Sequence, residues 1–189
     1  WRRKKEPAKA TADLEQALKL KPHAPGPYNT RGLLKLDKED FDGAFADFDQ
    51  AITVAEAYQP GDKYSNAAFY YNRGLARLSK QDNENALNDF NKALLLRPRM
   101  ATAYNNHGLT LMRRGKEGDL ERALADFNAA LTINPGLAPA YFNRGLIRLV
   151  QNDDVAAEQD FKKCLELDAT MKPQLDQAIR AVKEARSKP

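Results

Sequence analysis

The sequence holds one cysteine, one tryptophan and two histidines in 189 residues, and each scarcity removes a class of function. Cys164 has no second cysteine to pair with, so no internal disulfide frames the chain, and a lone thiol says little about compartment. His23 and His107 lie far apart, and no Cys or carboxylate stands beside them at metal-ligand spacing. No Ser or Cys has an evident base beside it, as a nucleophile requires. No glycine-rich phosphate loop is present, because the glycines fall within helical patterns or ordinary turns. No apolar run reaches the roughly 18–20 residues needed to cross a bilayer. The start, Trp1-Arg2-Arg3-Lys4-Lys5, is charged with no apolar stretch behind it, which is not a signal-peptide pattern.

What is present is the composition of a folded chain, with 42% hydrophobic and 30% charged residues. The formal charge of +4 is no larger than the four cations of residues 2–5 supply. A short basic tail of this kind is more often solvated than a reader of nucleic acid. We expect no nucleic-acid partner, no membrane insertion, no cofactor and no metal. The basic start fits an exposed linker or a stub after an upstream membrane anchor, and the two readings stay open.

The organising feature is an internal repeat. PYNTRGLLKL (27–36), FYYNRGLARL (69–78), AYNNHGLTLM (103–112) and AYFNRGLIRL (140–149) align without gaps. DGAFADFDQAI (42–52), ENALNDFNKAL (84–94), ERALADFNAAL (121–131) and VAAEQDFKKCL (155–165) follow them. The second block reads Tyr70, Gly74, Ala86, Phe90, Ala93, Pro98, and the third reads Tyr104, Gly108, Ala123, Phe127, Ala130, Pro135. The first lacks the proline. The fourth has Cys164 and Ala169 where Ala and Pro stand in the others. This pattern resembles the tetratricopeptide repeat (TPR) family, a 34-residue helix–turn–helix unit. The resemblance implies an all-α, right-handed solenoid of TPR repeats.

Each repeated residue type has a physical reason. Glycine inside a helix costs about 1 kcal/mol in propensity, so it needs a close helix approach in return. The alanines sit where helix faces nearly touch. A buried aromatic contributes roughly 1.5–3 kcal/mol. Pro98 and Pro135 stop one helix before the next. The expected organisation is a partial repeat at 1–22 that supplies only a second helix. Four units follow at about 25–58, 67–100, 101–137 and 138–169. A capping helix at 170–187 closes the array, with Met171, Leu175, Ala178, Ile179 and Val182 on one face. The partial start suggests a piece of a longer protein or a lone capping helix. Two insertions, around 58–65 and 113–120, are expected to be surface loops.

In TPR proteins the first helices line the concave side. Carried onto this sequence, one row is Asn29, Tyr71, Asn105 and Phe142, and the next is Thr30, Asn72, Asn106 and Asn143. Leu33, Leu75, Leu109 and Leu146 follow, then Asp37, Ser79, Arg113 and Val150. An Asn side chain offers donors and an acceptor, the complement of a peptide unit. The row resembles the asparagine ladder of the O-GlcNAc transferase TPR superhelix. That resemblance implies that Asn72, Asn106 and Asn143 hold a peptide backbone. The other reading is that these amides bond to neighbouring helices, and the leucine row reads equally as core. The candidate peptide-binding set is Asn29, Tyr71, Asn72, Leu75, Asn105, Asn106, Leu109, Arg113, Phe142, Asn143 and Leu146. The dicarboxylate clamp of chaperone-binding TPR domains is not matched, because Asn29/Leu33 and Thr102/Asn106 replace its cation pairs.

A second pattern reads as structural. Arg31, Arg73 and Arg144 each precede an aspartate, Asp47, Asp89 and Asp160, by the same interval, with His107 and Asp126 as the third-repeat version. These are expected to tie the two helices of each repeat together; the alternative is that the arginines point into the groove toward an acidic ligand. The expected function is a non-catalytic adaptor or scaffold that binds an extended or helical peptide in the concave groove. The alternatives are a self-assembling scaffold and a regulatory arm of a larger enzyme.

Overall fold

The computed structural model describes residues 7–187. The basic start at residues 1–5 and the first part of the expected partial repeat lie outside the described residues. Two compact units divide at Pro98 and Arg99.

The first unit contains α1 (Pro7–Leu20), α2 (Pro25–Leu36), α3 (Phe41–Tyr58), α4 (Lys63–Ser79) and α5 (Asn83–Leu96). Consecutive helices pack on each other, and α2 also meets α4. Helix starts are set by aspartates whose side chains accept an orphan backbone N–H. Asp40 accepts from Gly43, Asp62 from Ser65 and Asp82 from Asn85. Glu39 and Gln81, the residues just before two of these caps, turn through the left-handed region at φ 61°. The turn therefore takes the strain, and the aspartate that follows begins the next helix.

The first insertion departs from expectation. Only residues 59–62 lie between helices, and the extra length extends α3 to 18 residues and α4 to 17. The cause is local. The proline behind α3 is Pro60, later than the position aligned with Pro98, so α3 runs on to Tyr58, and Asp62 caps α4 early. The neighbouring α5 ends at Leu96, two residues before Pro98.

The second unit contains α6 (Ala101–Arg114), α7 (Asp119–Ile133), α8 (Ala138–Val150), α9 (Asp154–Leu167), a 3-10 turn (Ala169–Met171) and α10 (Lys172–Arg186). The second insertion is a true loop. Gly115 and Gly118 stand at φ 64° and 76°. Asp119 gathers the loop: its carboxylate accepts Arg114 Nε at 2.8 Å and the Lys116 backbone N–H at 3.0 Å. Those bonds, with the Arg114 one foremost, hold the Asp119 carboxyl below the usual carboxylate range. α10 lays Leu175, Ala178, Ile179 and Val182, and the 3-10 turn before it Met171, against Phe142, Phe161 and Cys164. This is the apolar face read from the sequence.

The repeated glycines all meet the same partner type. A Cβ on Gly32 would stand 2.7 Å from Phe48 Cε1, one on Gly74 2.8 Å from Phe90 Cε1, and one on Gly108 2.9 Å from Phe127 Cε1. Gly145 meets Phe161 in the same way. Phe48, Phe90 and Phe127 are fully buried, as are Ala44, Ala86, Ala123 and Ala157. The glycine row is the slot into which the aromatic row packs.

Candidate functional site

Arg31, Arg73 and Arg144 do not project freely. Arg31 donates to Asp47 through Nε at 2.9 Å and Nη2 at 2.5 Å. Arg73 grips Asp89 at 3.0 and 2.6 Å, and Arg144 grips Asp160 at 2.9 and 2.7 Å. These are planar, bidentate forks. In the third repeat His107 Nδ1 meets Asp126 at 2.7 Å.

A second cation one turn along the first helix, missed in the sequence, completes three of the four staples. Lys35, Arg77 and Arg148 lie 3.0, 2.8 and 2.8 Å from Asp47, Asp89 and Asp160. The signal was present as Arg-x-x-x-Lys or Arg-x-x-x-Arg in repeats one, two and four. Repeat three has Leu111 there, so Asp126 has no such second cation. Burial pushes the Asp47 carboxyl up, but the bonds from Arg31 and Lys35 outweigh it and hold it below the usual range. Arg73 and Arg144 also reach back one repeat, to Asp49 at 2.6 Å and Asn128 at 2.8 Å.

The asparagine rows form cross-repeat bonds within each unit. In the first, Asn72 Nδ2 donates to Asn29 Oδ1 at 2.9 Å. Both side chains are half-buried. In the second, Asn143 Nδ2 donates to Asn105 Oδ1 at 3.1 Å, and Asn105 Nδ2 donates to Asn106 Oδ1 at 3.1 Å. Here Asn105 and Asn143 are 7% and 6% exposed. The sequence placed these amides on one face but not the diagonal that joins one repeat's asparagine to the next repeat's.

The remaining candidates separate by burial. Tyr71 is half-buried with its ring 5.9 Å from that of Phe90. Leu75, Leu109 and Leu146 are half-buried, Asn106 likewise, and Arg113 is exposed. Phe142 is only 7% exposed and packs in the α8–α9–α10 core. It forms the floor of that face rather than an open apolar pocket. Thr30 returns its hydroxyl to the Gly26 carbonyl at 3.0 Å and Ser79 to that of Leu75 at 3.1 Å, so both serve their own helices.

Among the described residues no group of three His, Cys, Asp or Glu is arranged to hold a metal ion, and no helix is long and apolar enough to cross a membrane. Cys164 is buried with its thiol 3.6 Å from the Met171 sulfur, and burial pushes its pKa up, which disfavours the thiolate.

The tetratricopeptide repeat profile matches residues 29–94, 71–138 and 115–171. The chain is a tetratricopeptide-repeat protein. Solved structures agree on the fold. MamA from Desulfovibrio magneticus RS-1 superposes with a TM-score of 0.70 at 20% identity, covering 87% of this chain and 86% of its own. TTC0263, a thermophilic TPR protein of Thermus thermophilus, gives 0.68 at 22%, covering 87% and 84%. YrrB, a TPR protein with an unusual peptide-binding site, gives 0.67 at 24%, covering 94% and 84%. A comparison with curated proteins found no match. The fold class of this TPR protein is therefore the all-α solenoid read from its repeats, and its Arg–Asp staples are part of that repeat architecture.

Proposed function

We propose that this TPR protein is a non-catalytic adaptor that holds an extended peptide against the first-helix face, with α2 and α4 making the backbone contacts. The observation that carries this reading is the Asn29–Asn72 pair. Their mutual bond, 2.9 Å long, uses one hydrogen of Asn72 Nδ2 and one lone pair of Asn29 Oδ1. Asn29 Nδ2 and Asn72 Oδ1 are left as a fixed donor and acceptor. That is the complement of one peptide unit, held by a bond that removes the entropy cost of aligning it. Leu75 and Tyr71 flank the pair with apolar surface for side chains. In the second unit the buried Asn105 and Asn143 position the half-buried Asn106, while Leu109, Leu146 and Arg113 carry the accessible surface. An acidic side chain suits Arg113.

A peptide-array screen tests this reading with three proteins: the wild type, Asn29→Ala/Asn72→Ala and Asn105→Ala/Asn143→Ala. The first pair of substitutions should abolish capture of peptides that the wild type holds, with little change in melting temperature. The second should lower the melting temperature, because it empties a buried amide pair. Equal capture by wild type and Asn29→Ala/Asn72→Ala would remove the backbone-binding role of that pair.

A further inference from the structure

The face of α4 opposite the asparagine row carries a second, differently built recess. Tyr70, Arg73 and Arg77 share one side of α4, while Tyr71, Asn72, Leu75 and Ser79 lie about 180° away at the helical 100° per residue. Tyr70, Arg73 and Arg77 floor a cleft of about 490 Å³ whose wall is the Asn88, Asn91, Lys92, Leu95 stripe of α5. The floor is rigid. Asp89, 2% exposed on its side chain, holds Arg73 and Arg77, Asp49 holds Arg73 from α3, and the Tyr70 hydroxyl donates to Glu56.

The wall differs in kind from the floor. Asn88, Asn91 and Lys92 are exposed, and none of the three has a partner among the described residues. Leu95 is 74% exposed, the most exposed large hydrophobic residue described. The spacing i, i+3, i+4, i+7 puts all four on one stripe. The aligned positions read Ala46, Asp49, Gln50 and Thr53 in repeat one, and Ala125, Asn128, Ala129 and Thr132 in repeat three. In repeat four Lys163 stands where Lys92 does, but it is paired with Glu166, the residue at the Leu95 position. Only repeat two joins an unpaired cation to an exposed leucine.

We infer that this α4–α5 cleft is a second peptide-docking site, selective for an extended acidic segment in which an apolar residue stands two positions from the acid. Arg73 and Arg77 are already answered by Asp89 and Asp49, which leaves Lys92 as the one cation of the lining without a carboxylate among the described residues, so an acid is its complementary charge. Lys92 takes the acid and Leu95 the apolar residue. On α5 these two side chains start about 5–6 Å apart, close to the roughly 6.6–7 Å between residues i and i+2 of an extended chain, whose side chains share one face. Asn88 and Asn91 supply amides for the backbone. The site is separate from the Asn29–Asn72 face, so either can exist without the other.

The test is a nitrogen-15 NMR titration of the full chain with an end-blocked hexapeptide that carries glutamate and leucine in turn at every second position, with serine between them. Expected are shifts of the Asn88 and Asn91 side-chain amides and of the α5 backbone. Lys92→Glu should weaken binding about tenfold or more, Leu95→Ala should weaken it severalfold, and added salt should weaken it further. Asn29→Ala/Asn72→Ala should leave it unchanged, and a lysine–leucine hexapeptide should not bind. Lys92 and Leu95 are surface positions, and unchanged helical circular dichroism would confirm that their variants fold. Three results would each overturn the inference: no perturbation at millimolar peptide, perturbation confined to the Asn29–Asn72 face, or unchanged affinity in both α5 variants.

Discussion

Gly74 and Phe90 occupy one space: a Cβ on the glycine would stand 2.8 Å from the Cε1 of a ring that is fully buried. Helix propensity alone favours Gly74→Ala by about 1 kcal/mol, whereas overpacking a closed core costs about 1–3 kcal/mol. The clash should win, because the buried Phe90 ring has nowhere to retreat. Thermal melting of Gly74→Ala should therefore show destabilisation. Adding Phe90→Leu should make the alanine less costly than it is in the wild type, a positive coupling measured by a double-mutant cycle. An alanine that stabilises the wild-type background would refute the packing argument.

The staples should not be equivalent. Asp89 carries Arg73 twice and Arg77 once, and is 2% exposed on its side chain. Asp89→Ala strands Arg77 and leaves Arg73 with Asp49 alone, the two guanidinium groups keeping 22% and 16% exposure, so the cost should be about 3 kcal/mol, the low end for a broken buried pair. Asp126 has only the His107 staple and is 16% exposed. Its loss should cost about 1 kcal/mol, that of one ordinary hydrogen bond. Urea denaturation of both variants provides the comparison, and equal losses would contradict it.

Acid should erase part of the stability through Asp47 and Asp119. Both carboxyls are held below their ordinary range in the folded state. A group depressed by folding stabilises the fold fully above its unfolded pKa, about 3.9 for aspartate. That contribution is lost as pH falls through the lower folded value. Asp119→Asn should thus be less stable than wild type at pH 6, with the gap closing below about pH 4. Urea midpoints measured from pH 7 to 2.5 would show it, and a gap that stays constant to the lowest pH would exclude this origin.

The end of the second unit depends on α10. Leu175 is 2% exposed and packs with Phe142 and Phe161. Leu175→Ala should cost about 2–4 kcal/mol. Ending the chain at residue 168 should expose the α8–α9 apolar face and promote association, which light scattering would detect. A truncated chain that stays monomeric and equally stable would mean that α10 is not a cap.

Much of this was legible beforehand because repetition makes local chemistry redundant. Gly32, Gly74, Gly108 and Gly145 in register with Phe48, Phe90, Phe127 and Phe161 pointed to one packing slot used four times. The Arg–Asp intervals pointed to the staples. The first insertion misled because inserted residues look like a loop, yet Asp62 and the late position of Pro60 turned them into added helix. The asparagine row was legible as a face and not as a network. Which amide is spent on a neighbour depends on how adjacent repeats are rotated, and helical periodicity within one repeat carries no information about that.

By itself, the sequence determined the helix pairs, their caps and their mutual grip, since all of these rest on residues within about one repeat of each other. Tertiary structure alone decided which surface groups remain available. It buried Asn105, Asn143 and Phe142, and left Asn29 Nδ2, Asn72 Oδ1 and the Lys92–Leu95 stripe accessible. Availability is a property of neighbours brought together from different repeats, and a polar side chain of the same type is spent in one repeat and free in another.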